Sequence, residues 1–227
     1  RSVVRNPFVA DLLELITKNQ GYRLKIYYHR EQLLQGRALK ELSAGQSIDL
    51  TWSVTTTERE SELKAIKIPI YQGLIGWRVA FIHPDSQSKF SEIHNAEDLK
   101  QYVAAQRFDW PDYEILKSNG LPVEGNISFV RIPKALHEGL VDYFPRSVLE
   151  VARESERQRN NNLKIEKSLL LKYKSAYYFF VNQTNEKLAE IIEEGFKKAL
   201  RDGSYRLLFN KYYGNDLAAL NLEKRRV

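Results

Sequence analysis

Ser47-Ile48-Asp49-Leu50-Thr51-Trp52-Ser53-Val54-Thr55-Thr56-Thr57-Glu58-Arg59-Glu60 decides the fold. Ile48 to Trp52 alternates apolar and polar residues, which predicts a strand. Thr55 to Arg59 is a polar turn that opens a short helix. Immediately upstream, Gly36 to Ser43 sets Leu39 and Leu42 on one helical face, and Gly45 breaks that pattern. Tyr22, Leu24, Ile26 and Tyr28 alternate and predict another strand. Asn6 to Lys18 has helical spacing, with Asn6-Pro7 as its start. The cadence is helix–strand–helix–strand, that of an α/β sheet.

Downstream, Ile66 to Ile70 is extended around Pro69, and Gly73 to Ile82 is an apolar run broken only by Arg78. Helices are expected over Asn95–Val103, Asp109–Ser118, Arg131–Glu138 and Pro145–Glu156, with Asn119-Gly120 closing the second through a left-handed cap. Val141–Phe144 is a short strand, Arg157–Asn162 a polar loop, and Leu169–Tyr173 and Tyr177–Val181 are extended. Asn185 to Asp202 is the longest helix, capped by Asn185 and stopped by Gly203, and Ser204–Tyr213 adds one more. Two apolar extended stretches, Gly73–Ile82 and Tyr177–Val181, flank a central block. That is the pattern of two crossings between two lobes, although one many-stranded domain would give similar local patterns.

The chain has 227 residues, 43% of them hydrophobic and 28% charged, so a packed core is expected rather than disorder. It has no cysteine, which excludes disulfides, thiolate zinc sites and thiol catalysis together. It has no methionine and begins at Arg1, as a processed or trimmed product would, and no run of about 18 apolar residues follows. The net charge of +6 is interspersed with acidic residues except at Lys224-Arg225-Arg226. With no recognisable nucleic-acid module, nucleic acid is not the expected partner. The four histidines, His29, His83, His94 and His137, offer no i,i+4 pair, so no metal is expected, and no catalytic or phosphate-loop motif occurs.

Four segments together resemble the extracellular solute-binding proteins of the amino-acid-transport type (family 3). They are Ser47–Glu60; Pro69-Ile70-Tyr71-Gln72-Gly73-Leu74; Ala135-Leu136-His137-Glu138-Gly139-Leu140-Val141-Asp142-Tyr143; and Tyr178–Leu188 with Asp202-Gly203-Ser204 through Lys211-Tyr212-Tyr213-Gly214. The resemblance implies an α/β, two-lobed type II periplasmic-binding fold. Each lobe would be a mostly parallel sheet flanked by helices, and two hinge crossings would join them. Lobe one would be 1–80 plus 177–227, and lobe two 81–176. The family's first strand would have to lie within Arg1–Arg5. The implied protein is a periplasmic receptor, exported with its signal peptide removed. It would be a monomer with no cofactor, binding a small carboxylate-bearing ligand in the inter-lobe cleft for an ABC permease or a membrane sensor. It would not be an enzyme. The alternatives are an enzyme on the same bilobed fold, with Asp109, Asp142 or His137 as its best acid–base candidates, and a ligand-sensing domain cut from a larger receptor.

By that resemblance Arg59 forks onto the ligand's carboxylate, with Thr55 and Thr56 completing the anion site. The bland alternative is a surface arginine paired with Glu60 or Glu62. Arg146, a few residues after Asp142, stands where the amino-acid binders place an acid. With Arg59 it would favour a ligand bearing two anionic groups; alternatively it is the exposed first turn of a helix. Trp110 precedes a helix and is placed to stack on a flat ligand, while Asp109 and Asp112 are natural caps there. Arg37 either edges the cleft or is solvated, and Trp52 and Tyr71 are either ligand walls or core.

Overall fold

The computed structural model describes residues 6–18, 20–31 and 33–227. In chain order the elements are α1 (Pro7–Lys18), α2 (Gln35–Ser43), β1 (Leu50–Val54), α3 (Thr57–Glu62), β2 (Lys64–Ile66), β3 (Trp77–Ile82), α4 (Gln87–Ser91) and α5 (Ala96–Leu99). There follow β4 (Ala104–Ala105), α6 (Pro111–Ser118), β5 (Val123–Glu124), α7 (Ile132–His137), β6 (Tyr143–Ser147) and α8 (Val151–Asn160). The last are β7 (Lys164–Ile165), β8 (Leu171–Lys172), β9 (Tyr177–Val181), α9 (Glu186–Arg201) and α10 (Ser204–Ala219).

The chain divides into two units. The first holds the described residues up to Gly73 together with Ser175–Asn215. The second holds Leu74–Lys174 and Asp216–Val227. The passages therefore fall at Gly73/Leu74 and Lys174/Ser175. β3 lies wholly in the second unit, where the sequence expectation had put residues 74–80 in lobe one. Residues 216–227 also group with the second unit rather than the first, so the chain passes a third time inside α10.

In the first unit β9 is central, with β1 and β2 on either side, both antiparallel to it. β1 and β2 run in one direction, joined by α3, and β9 is inserted between them against their direction. In the second unit the order is β5-β4-β6-β3-β7. β4 pairs parallel with β5 and β6, while β3 pairs antiparallel with β6, β7 and β8. The α/β class holds. The mostly parallel pairing expected of each sheet does not hold among the described residues, because the two strands next to the passages, β3 and β9, enter against the others.

The helix starts follow local chemistry. Asn6 caps α1 by accepting from Val9 N at 3.2 Å, Asn95 caps α5 by accepting from Glu97 N and Asp98 N, and Asn185 caps α9 by accepting from Leu188 N. Gly120, with φ +76°, ends the turn after α6 in the left-handed region that its lack of Cβ permits. The faces then pack. Phe8, Leu12 and Ile16 of α1 are fully buried, as are Phe179 and Phe180 of β9 and Phe196 of α9, and Phe8 meets Phe209, Tyr212 and Tyr213 edge-on. The second core is Ile82, Phe90, Leu99, Ala104, Leu116 and Tyr143.

Three expectations are corrected. Tyr22–Tyr28 forms no regular element. Its alternating side chains, Tyr22, Leu24 and Ile26, stay 45%, 37% and 37% exposed, so the pattern has no core to face. The helix expected to start at Pro145 begins at Val151 instead, because β6 continues through Ser147 against β3, with Pro145 opposite Ala80. α8 then runs through the stretch expected as a polar loop. The first strand expected within Arg1–Arg5 lies outside the described residues.

The tail is tied into the second unit by charge. Glu166 is 1% exposed and accepts from Gln87 Nε2 (2.8 Å), Ser168 N (2.6 Å) and Leu169 N (2.7 Å). Its cation is Arg225, 3.7 Å away, whose Nη1 also donates to the carbonyls of Glu166 and Leu169. Removing a partner from a buried charge costs the desolvation of what remains. Arg225→Ala is expected to lower stability by about 2–3 kcal/mol, read as an earlier urea midpoint. An unchanged midpoint would show that the tail does not support Glu166.

Candidate functional site

Arg59 is placed by the end of β1. Thr56 caps α3, its Oγ accepting from Arg59 N at 3.2 Å, and the first turn aims the side chain back at the strand. There Nη1 donates to Ser53 Oγ (2.9 Å) and to the Val54 carbonyl (2.5 Å), and Nη2 donates to Gln35 Oε1 (3.0 Å). Guanidinium has five N–H donors. Three are held by neutral acceptors. Nε–H and one Nη2–H remain without an acceptor among the described residues, and no carboxylate forms a salt bridge with Arg59 there. An arginine forks onto a carboxylate through Nε and Nη2. Those two nitrogens of Arg107 grip Asp109 at 2.7 and 2.6 Å, and those of Arg146 grip Glu154 at 2.8 and 2.6 Å. Burial lowers the Arg59 pKa from its ordinary value, a shift only partly opposed by Tyr177 and Glu58.

The other first-unit candidates are committed elsewhere. Thr55 Oγ donates to Glu60 at 2.6 Å and its N–H to the Ala176 carbonyl. Glu60, the expected bland partner of Arg59, is instead 2.5 Å from Lys67. Trp52 is half-buried opposite Phe179. Tyr71 is 6% exposed, accepts from Asn6 at 2.9 Å and packs on Phe8, Tyr177 and Tyr213. Burial, then the neighbouring tyrosines, holds its phenol well above the ordinary range. Tyr71 is core rather than a ligand wall. Arg37 is exposed and lies 3.8 Å from Glu41.

In the second unit Arg146 sits on strand β6 rather than on a helix, and it is buried. Glu154 grips it with two bonds and Glu150 lies 3.2 Å away. Its face meets Trp110 at 5.1 Å and Phe144 at 5.3 Å. Next to it, buried Arg78 lies 2.6 Å from Asp112 and 3.5 Å from Glu150, and Tyr173 donates its hydroxyl proton to Asp112. Burial alone would lower both arginines. Glu150 and Glu154 for Arg146, and Asp112, Tyr173 and Glu150 for Arg78, more than offset it and raise both. Three carboxylates thus face these two guanidinium groups. Of the three, Glu150 is the most open, with 36% of its side chain exposed.

The structure therefore gives Arg146 an internal counter-ion, and Asp112 is an ion-pair partner rather than a cap. Asp142 accepts from Val103 N at 2.7 Å and ties the start of β6 to that of β4. Arg78, Glu150, Glu154 and Tyr173 were missing from the sequence expectation. The sign of them was Arg78 itself, a lone charge inside an apolar run, which a fold buries only with a partner. Among the described residues no group of three or more His, Cys, Asp or Glu side chains is placed to hold a metal ion, and no helix is long and apolar enough to cross a membrane.

No protein family's sequence profile matches the chain, and no curated protein matches it. Solved structures do. An ancestral arginine-binding protein bound to glutamine is 20% identical with a TM-score of 0.64, covering 91% of this chain and 87% of that one. A probable amino-acid ABC transporter extracellular-binding protein of Bacillus subtilis, ytmK, is 15% identical with a TM-score of 0.69, covering 92% and 88%. A histidine kinase sensor domain with similarity to periplasmic binding proteins is 17% identical with a TM-score of 0.65, covering 91% and 86%. At these identities the likeness is one of fold, and the fold is that of the type II periplasmic-binding proteins.

Proposed function

We propose that this chain is an exported solute receptor that binds a small, carboxylate-bearing molecule of the amino-acid class through Arg59 and serves an ABC permease. The observation that carries the reading is Arg59, a half-buried cation whose acceptors among the described residues are all neutral and whose Nε–H has none. A carboxylate accepts from such free guanidinium donors and supplies the missing charge. The fold supports the same reading, since arginine- and glutamine-bound and transporter-associated proteins share it.

Arg146 is not part of that anion site. Its charge is already met within the second unit by Glu150 and Glu154. Binding is favoured over catalysis by the fate of the acid–base candidates. Asp109 is gripped by Arg107, Asp142 is bonded to Val103 N, and His137 Nε2 bonds the Asn161 carbonyl at 2.8 Å.

The test is a thermal-shift screen against amino acids, dicarboxylates and sugar acids, with Arg59→Ala beside the native chain. A ligand at about 100 times its Kd adds roughly 2.7 kcal/mol to the folded state. An amino acid is expected to raise the native Tm and leave that of Arg59→Ala unmoved, and to be recovered unchanged after incubation. Stabilisation that survives in Arg59→Ala would remove Arg59 from the site. A second reading, a sensor domain, is favoured by the likeness to the histidine kinase sensor domain. It uses the same contact and is distinguished by a membrane helix fused to this chain in the full gene product.

A further inference from the structure

The second unit has a groove that none of the groups above uses. It lies between the loop after β5 and α7, with a cavity of about 260 Å³, room for roughly eight water-sized groups. Its apolar lining comes from Ile127, Ala135 and Leu140, and Leu140 is left 63% exposed although it is large and aliphatic. Its polar lining is Asn126, Ser128 and Arg131. None of these three side chains has a hydrogen bond or ion pair among the described residues; the one bond between their segments is backbone, Arg131 N to the Ser128 carbonyl at 2.8 Å. The remaining charges, Lys134 and Glu138, neutralise each other at 3.3 Å. Of the lining charges, Arg131 is the one with no ion pair among the described residues, beside an uncovered aliphatic surface; Glu124, outside the lining, is held by Asn126 N at 2.7 Å.

We propose that this groove binds a short aliphatic monocarboxylate, with the carboxylate on Arg131, Ser128 and Asn126 and the hydrocarbon tail on Ile127, Ala135 and Leu140. A guanidinium and a hydroxyl both donate to a carboxylate, and an amide NH₂ adds a third donor. The small volume selects a chain of a few carbons rather than a drug-sized molecule. This inference does not depend on the Arg59 reading, because it concerns other residues of the other unit.

The experiment is an amide-resolved NMR titration of the ¹⁵N-labelled full chain with 4-methylpentanoate, using its neutral primary amide as the control. Saturable shifts are expected at the amides of Asn126, Ser128, Glu138 and Leu140, with a Kd of about 1–10 mM for so small a probe. Arg131→Gln, an exposed change that leaves the core untouched, is expected to weaken this binding about tenfold or more, and the neutral amide to bind as weakly. Arg59→Ala is expected to leave the groove shifts unchanged, which separates this proposal from the receptor reading. Absence of saturation at those amides by about 50 mM, or a groove response that ignores Arg131→Gln, overturns it. Groove shifts that vanish in Arg59→Ala overturn it too, because they would report the other site.

Discussion

Asp112→Ala lowers the stability of the second unit by about 3–5 kcal/mol, the cost of leaving a buried charge without its partner. Arg78 is 3% exposed and its close anion is Asp112 at 2.6 Å; Glu150, at 3.5 Å, is shared with Arg146. Without Asp112 the guanidinium keeps its desolvation and loses most of its compensation, and Tyr173 loses its acceptor. The double variant Arg78→Met with Asp112→Leu removes both charges and is expected to recover most of the loss, since apolar groups of similar volume replace buried pairs with little penalty. Chemical denaturation of the three proteins measures this. If the single variant is within about 1 kcal/mol of native, the pair does not sustain the burial of Arg78.

Gly195→Ala is the second large effect. A Cβ at Gly195 would stand 2.2 Å from the Ile16 carbonyl oxygen and 2.8 Å from its carbon, both backbone atoms of α1. Helices α1 and α9 can approach so closely only because no side chain intervenes, and a backbone cannot rotate aside as a long side chain can. Overpacking of this kind costs about 3 kcal/mol, or a fall in Tm of roughly 6–12 °C for a chain of this size. Gly214 in α10 supplies the control. Its Cβ would meet nothing nearer than Asn210 Cβ at 3.6 Å, so Gly214→Ala is expected to stabilise by up to about 1 kcal/mol through helix propensity. Opposite signs from the same substitution identify the contact; equal signs would mean that α1 and α9 are not in contact there.

Local chemistry was legible in the sequence wherever the structure is decided locally. The Asn6, Asn95 and Asn185 caps and the long face of α9 needed only neighbours within one or two turns. Pro145 misled because proline favours the first turn of a helix, whereas pairing with β3, far away in sequence, holds Pro145–Ser147 in a strand. The alternation of Tyr22–Tyr28 misled for a related reason, since a period of two predicts a strand only where a partner and a core are present. At the site, Arg59 was visible through its segment. Its acceptors Ser53 and Gln35 come together only once α2 and β1 are folded. Arg146 was visible as a cation in an unexpected place. Its neutralisation by Glu150 and Glu154 depends on the turn from β6 into α8, which the sequence reading had as one continuous helix.

The interleaving of the two units has a consequence for how the protein is made. β1 finds its partner only when β9 leaves the ribosome, of order ten seconds later at ordinary rates of synthesis, because Leu50 pairs with Val181. The second unit begins before the first is complete, and its buried Glu166 waits for Arg225. The first unit is not complete before Asn215 nor the second before Val227, so the domain-by-domain order in which many two-unit proteins assemble during translation gives this one little head start. Its apolar strands must stay unpaired until most of the chain exists. That gives any holdase or secretion machinery a long interval in which to capture it unfolded.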